Sequence, residues 1–456
     1  MSTTESSSFR DILVRYRFLP LFAVSLILIG LIIVRSVIEG VFLLPAPVGD
    51  SILFLDPAHN FCNTGFLGTD LVNLDPQNQH RFVWHGFLSP WLLSKLNFSC
   101  SIPGFYWVGL AIKGITLFLA FFVARAWGLP KWQAVAISLL AFAIQSKLGF
   151  RPELLAIAWI FAIELVIIRR LWNLAACLAV LLLFTQPMVF GLYGLLFLIH
   201  RPTVLMSALN SINILCFLIA FATLAIIYPF PLLDLAEGLR LHAAYIFSRG
   251  GGELATYYGA THFAPFWAFL FVAALLILMR RRPLLILLLP FLYWFGPRVP
   301  PTHYNLLAIF PLIVVLGIAH SGKTAAILLT LGALVVGGFG LAQLSIRDIA
   351  TILKGPGYME SYRLFVADIQ SSSFDIGDFP GFGSLWLREQ LQNSASPPNL
   401  KSDSGNNSFR VDYYAMSGRP ISPCPDQSPN AEGYYLSGVK VINSTSGWGT
   451  YRCVRD

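Results

Sequence analysis

Charge is the scarcest ingredient of this chain. Of 456 residues, 31 are Lys or Arg and 23 are Asp or Glu, together 12%, against 56% hydrophobic. An ordinary soluble domain carries roughly twice that charged share, so the composition excludes one and points to a polytopic membrane protein. The net charge of +8 does not restore a nucleic-acid-binding class, because the basic residues stand singly or in short clusters between apolar runs. Nucleic acid is not an expected partner. Also absent are a Gly-rich phosphate loop, which removes a soluble nucleotide site of that type, a solenoid repeat, and the inverted pair of Gly/Pro-broken segments that builds many transporters. No small-residue cleavage site follows the first apolar run, which continues into Arg35-Ser36-Val37-Ile38-Glu39. That run is expected to be a retained anchor.

Apolar runs long enough to approach a bilayer's thickness lie at 18–38, 105–124, 133–148, 153–168, 171–185, 187–200, 203–228, 263–279, 284–297, 304–320 and 324–345. Arg10, Arg15 and Arg17 precede the first, which sets the N-terminus in the cytoplasm by the positive-inside rule. Alternate connections then carry Arg125 and Lys131, Arg169-Arg170, Arg201, Arg280-Arg281-Arg282 and Lys323, all on the same side. The expected fold is an all-α polytopic membrane protein of about eleven transmembrane helices over residues 1–345. Interfacial helices are expected in the outer loops. An odd number of spans puts the C-terminus outside, where residues 346–456, rich in Ser, Gly, Asn and Pro, are expected to form a small extracytoplasmic α/β or β-containing domain around runs such as "YYLSGVKVI".

Cysteine is sparse as well, six in all. Cys62 and Cys100 share the first outer loop and Cys424 and Cys453 the tail, whereas Cys177 and Cys216 lie in apolar runs. Two external pairs suit disulfides in an oxidising compartment, and four free thiols are the alternative. The three-residue glycosylation patterns at Asn97, Asn406 and Asn443 also fall outside, although such patterns arise often by chance.

The polar residues of the outer face are the candidate site. "GDSILFLDPAHNFCNTGFLGTD" at 49–70 places Asp50 and Asp56 just beyond the first run. Each is either a helix N-cap, with Asp56-Pro57 a favoured cap and first-turn pair, or a carboxylate held for chemistry. On a helix, His59 and Asn60 follow Asp56 at i+3 and i+4 and share its face. His80, Arg81 and His85 precede an amphipathic run that suits an interfacial helix, or they belong to a solvated loop. Lys147, Arg151 and Glu153 crowd a tight turn between the third and fourth runs. There they form a local ion pair with a snorkelling lysine, or a binding group. Arg240, Arg249, Arg298 and His303 fall on the same side, where arginines that set no orientation suit bidentate grip on phosphate. The loop 229–262, with Gly250-Gly251-Gly252, is a linker or a mobile lid.

Taken in order, Asp50, Ala58, Asn60, Gly65, Leu67, Gly68 and Thr69, then "FRPE" at 150–153 and "RVPPTHYNLLAIFPL" at 298–312, resemble the GT-C superfamily of integral membrane glycosyltransferases. The similarity is greatest to the protein O-mannosyltransferase and aminoarabinose transferase-like group, and it covers roughly residues 10–345. Ser51 departs from the pattern, since many relatives carry a second acid there. The resemblance implies inverting transfer of a sugar from a polyprenyl-phosphate donor to a glycan, lipid or protein acceptor, in a bacterial inner (plasma) membrane. It makes Asp50 the general base, Asp56 its orienting partner, and Arg151, Arg298, Arg249 and Arg240 phosphate ligands, with Tyr304 in the late outer segment. No cofactor is required. A divalent metal is compatible with the pattern but is not called for with serine at position 51. A transporter of a lipid-linked sugar, and a non-catalytic envelope-assembly protein that works through its outer tail, are the alternatives. The clearest mid-run charges that a transporter would use are Lys113 and Glu164.

Overall fold

The computed structural model describes residues 19–43, 52–65, 88–204, 210–227, 264–289 and 302–353, together with strand segments 407–412, 434–443 and 448–455. The first set is helical: α1 (Leu19–Phe42), α2 (Ile52–Thr64), α3 (Leu88–Leu96), α4 (Ile102–Ala126), α5 (Lys131–Leu148), α6 (Glu153–Ile168), α7 (Trp172–Thr185), α8 (Pro187–His200), α9 (Ser211–Ile227), α10 (Ala264–Met279), a 3-10 turn (Pro283–Leu288), α11 (Thr302–His320) and α12 (Lys323–Leu353). Every apolar run except 284–297 coincides with an α-helix. That run holds only the 3-10 turn among the described residues. Two stretches, Pro103–Ala126 and Lys323–Ala350, are long and apolar enough to cross a membrane. At 14 residues each, α7 and α8 reach only about 21 Å.

Local chemistry sets the helix ends. Ser101 caps α4, its hydroxyl accepting from the Gly104 amide at 3.2 Å. At the other end Gly128 takes a φ of +82°, with Gly128 N donating to Arg125 O and Leu129 N to Ala124 O at 3.0 and 3.1 Å. That paired closure needs a left-handed residue, which glycine supplies without a Cβ clash. Gly149, at φ +61° and ψ −128°, ends α5 in a different positive-φ conformation that a side chain would disfavour, and turns the chain into Arg151-Pro152.

One expectation fails here. A helix starting at the Asp56-Pro57 pair is not formed: α2 begins at Ile52 and carries Pro57 in its interior, so Asp56 is a mid-helix residue and not an N-cap. The pattern at Asn97 is closed to modification, because the side chain is 3% exposed and both amide atoms are engaged. Asn97 Nδ2 donates to Ser101 O at 2.8 Å, and Oδ1 accepts from Ser99 Oγ at 2.9 Å. Asn97 is a turn-former in front of α4.

The core is made by α5, α6 and α11, with α4, α12, α7, α8 and α10 around them. Leu306–Leu316 of α11 is almost wholly buried. Small residues permit the closest crossings. A Cβ on Gly337 of α12 would lie 3.2 Å from the Leu140 backbone of α5, and one on Gly317 of α11 would lie 3.0 Å from Ala274 Cβ of α10. A charged quartet joins α1, α4 and α12. Arg35 donates to Glu39 at 2.8 Å and to Asp348 at 2.6 Å, while Lys113 pairs with Glu39. All four are buried, and two cations with two anions leave the set neutral, which burial of charge demands.

Cys62 and Cys100 form a disulfide, with Cα atoms 5.4 Å apart, tying the end of α2 to the turn before α4. Cys177 and Cys216 are free thiols. In the C-terminal region, β1 (Asn407–Asp412), β2 (Tyr434–Asn443) and β3 (Trp448–Arg455) pair antiparallel in the order β1-β3-β2. Cys453 sits on the central strand, opposite Ser408 and Leu436. Cys424 and Asn406 lie outside the described residues.

Candidate active site

The turn 149–152 brings a compact polar group to one end of the bundle. Glu153, fully buried at the start of α6, accepts from Arg151 Nε at 3.2 Å and from Gln186 Nε2 at 3.0 Å. The Arg151 guanidinium stacks on the Tyr304 ring at 3.9 Å, a cation–π contact in a dry setting. Gln186 sits at the break between α7 and α8. Pro187 disfavours helical backbone in the residue before it, and Gln186 is accordingly extended, at φ −156° and ψ 93°. Both Glu153 oxygens are occupied, so this carboxylate is suited to fixing Arg151 and Gln186 and not to taking a proton.

Two buried oxygens beside this pair, Gln145 Oε1 and Gln186 Oε1, have no hydrogen-bond partner among the described residues, and neither do Ser146 Oγ, next to Gln145 in α5, and Asn305 Oδ1, next to Tyr304 in α11. The two glutamine orientations are fixed by their amide nitrogens. Gln145 Nε2 donates to Leu154 O at 2.7 Å and to Thr116 Oγ1 at 2.9 Å, and Gln186 Nε2 donates to a carboxylate. Their oxygens are therefore the acceptors left without a donor. Each buried polar atom without a partner costs about 1–3 kcal/mol, so four in one region call for hydroxyl or amine donors from a ligand or water.

Of the residues expected from sequence, Arg151, Glu153 and Tyr304 are brought together, and Lys147 is half-buried in the last turn of α5. The local Arg151–Glu153 ion pair is formed. His59 is buried on α2, its Nε2 3.1 Å from Asn63 Nδ2 and its ring 6.4 Å from that of Phe105. Asp56 and Asn60 lie in α2 and His303 in α11, with only their backbone described. Asp50, His80, Arg81, His85, Arg240, Arg249 and Arg298 lie outside the described residues. Gln145, Ser146, Gln186 and Asn305 were missed. Their signal was a neutral polar residue inside or at the edge of an apolar run, as in "AIQSKL" and "FTQPMV".

The two mid-run charges are both paired. Lys113 belongs to the quartet with Glu39, and Glu164 accepts from Tyr193 Oη at 3.0 Å and Arg201 at 2.9 Å. Among the described residues, no three His, Cys, Asp or Glu side chains converge as a metal site. The chain matches no protein-family model, no curated protein and no solved structure.

Proposed function

We propose that this protein is a membrane-embedded, GT-C-like glycosyltransferase. It moves a sugar from a polyprenyl-phosphate donor to a hydroxyl acceptor on the extracytoplasmic side, with inversion. The observation that carries the proposal is the pairing of a positioned arginine with buried, unpartnered oxygen acceptors at one end of an apolar bundle. An arginine suits a leaving phosphate. Buried amide oxygens and a serine hydroxyl without partners suit the donor hydroxyls of a sugar. Embedding in a bilayer is supported by lengthwise apolar stripes open to the surroundings, while the eleven spans, the N-terminus in the cytoplasm and the C-terminal region outside rest on the order of apolar runs and basic residues in the sequence. One stripe runs through Ile115, Phe118 and Phe122 on α4 and another through Leu328, Leu331, Val335 and Phe339 on α12.

The reaction forms one bond and breaks one. The acceptor oxygen attacks the anomeric carbon, the bond from that carbon to the phosphate oxygen breaks, and the electron pair leaves with the phosphate. The acceptor proton passes to Asp50, the only step for which this chain must supply a base. Arg151, held by Glu153 and Tyr304, together with Arg298, Arg249 and Arg240, stabilises the charge that develops on the phosphate. Because Lys113 and Glu164 are committed to neutral networks, ion-coupled transport has less to work with.

Envelope glycans from cells with and without the gene, read by mass spectrometry, test the proposal. The expected result is one missing sugar, restored by the wild-type chain and not by Asp50→Asn, which should lose about 10²–10⁴-fold in rate. Full restoration by a folded Asp50→Asn protein rejects the enzyme. Intact glycans with lipid-linked sugar trapped on the cytoplasmic face instead select the transporter.

A further inference from the structure

The opposite end of the bundle carries a second polar constellation, unrelated to the first. α8 runs from Pro187, beside Gln186, to His200, and α11 runs from Thr302, beside Tyr304, to His320. Their far ends are therefore about 20 Å from the Glu153 group. There a cleft of about 490 Å³ is lined by Trp127, His200, Arg201, Arg281, Arg282 and His320. No acid lines it.

Basic residues on this side are expected as orientation signals, but those require only proximity to the membrane. Here they are built into a wall. Arg201 is gripped by Glu164 at 2.9 Å and stacked on the Trp127 ring at 4.3 Å. The His200 and His320 rings meet edge to face at 4.9 Å. His320 Nδ1 lies 2.8 Å from the Leu316 carbonyl, which can only accept, so that nitrogen carries the proton and the ring is fixed.

Two buried polar atoms of this wall have no hydrogen-bond partner among the described residues, Trp127 Nε1 and His200 Nδ1. The first is decisive, since an indole N–H donates and never accepts. Glu164 neutralises Arg201, which leaves Arg281 and Arg282 as the net positive charge of the cleft. A donor-only indole, two imidazoles and the exposed guanidinium groups of Arg281 and Arg282, with Glu164 committed to Arg201, define the ligand by its chemistry.

We infer that the cleft between Trp127, His200, His320 and Arg281-Arg282 is a binding site for a phosphate-bearing anion, at the end of the bundle opposite the glycosyl-transfer site. The anion is either the phosphodiester of a lipid headgroup or a free phosphate or diphosphate. Trp127 Nε1 donates one hydrogen bond to it, Arg281 and Arg282 supply charge, and His200 Nδ1, carrying the proton of a neutral ring, adds a further donor. A volume of about 490 Å³ admits a diphosphate or a headgroup with its first substituent.

The full chain is tested with two probes. Inorganic pyrophosphate is titrated calorimetrically into detergent-solubilised protein, and phosphatidylglycerol retained from mixed phosphatidylcholine nanodiscs is counted by native mass spectrometry. The variants are Arg281→Gln/Arg282→Gln, both exposed in the wild type, and Trp127→Phe, which keeps the ring under Arg201 but removes the N–H. Saturable pyrophosphate binding, weakened about tenfold per arginine and several-fold by Trp127→Phe, supports a free phosphate ligand. One retained phosphatidylglycerol, lost in the same variants, supports a headgroup. Absence of saturable binding for both probes, or binding that neither variant weakens, overturns the site. The variants keep the outcome separate from glycosyl transfer: phosphate held at the Glu153 end would survive all of them, since Trp127, Arg281 and Arg282 lie at the other end.

Discussion

Removing Lys113 tests the buried quartet at its most exposed logic, the requirement for charge balance. Glu39 has two cationic partners, Arg35 at 2.8 Å and Lys113. At an effective dielectric of about 20, a contact near 3 Å is worth about 6 kcal/mol of gross Coulomb energy. Lys113→Met forfeits one such contact and leaves the quartet at −1, while sparing the cost of burying the ammonium. The net loss expected is about 3–5 kcal/mol, the usual result of stranding one partner of a buried pair. Glu39→Gln alone strands Lys113 and should cost a similar amount. The double variant Lys113→Met/Glu39→Gln leaves Arg35 with Asp348, at 2.6 Å, and restores neutrality. It should therefore be more stable than either single variant. Unfolding of the full chain in mixed micelles, titrated with sodium dodecyl sulfate, reads the difference. A double variant as damaged as the sum of the two singles would refute the account, as would singles within about 0.5 kcal/mol of wild type.

Three further outcomes follow from particular contacts. Cys62→Ser or Cys100→Ser opens a loop of sequence separation 38, and chain entropy sets the loss at roughly 4 kcal/mol, read as a lower unfolding midpoint and a newly alkylatable thiol. Gly337→Val drives a branched side chain against the Leu140 backbone, 3.2 Å from the first added atom, and should cost about 1–3 kcal/mol or more by the same unfolding titration. Asn97→Gln should leave gel mobility unchanged in a glycosylating host, because the side chain is engaged in the folded turn, yet lower stability by about 1 kcal/mol for the hydrogen bond to Ser101 O.

The helices were legible because an apolar run of this length leaves backbone groups few partners but one another. The runs at 105–124 and 324–345 became α4 and α12 with only their ends moved. Ends depend on capping, and Ser101, Gly128 and Gly149 carry recognisable capping chemistry. The start of α2 was not legible, since Asp56-Pro57 imitates a cap that α2 overrides from Ile52. At the candidate site, Arg151, Glu153 and Tyr304 stood out by charge or by motif. Gln145, Gln186 and Asn305 did not, because a neutral amide announces nothing until its burial and its partners are known.

By itself the sequence determined the apolar, helical character of the described residues between 19 and 353, the kinds of residue that end each helix, and the segregation of Arg201 and Arg280-Arg281-Arg282 from the turn at Arg151. These are properties of composition and short-range order, which a linear pattern carries in full. Only the tertiary structure decided that Lys113 neutralises Glu39, that Gln186 and Arg151 meet on Glu153, and that Trp127 joins two histidines in one cleft. Each depends on which helix faces which. Facing is settled by the summed packing of many similar apolar side chains, for which no single residue bears the mark.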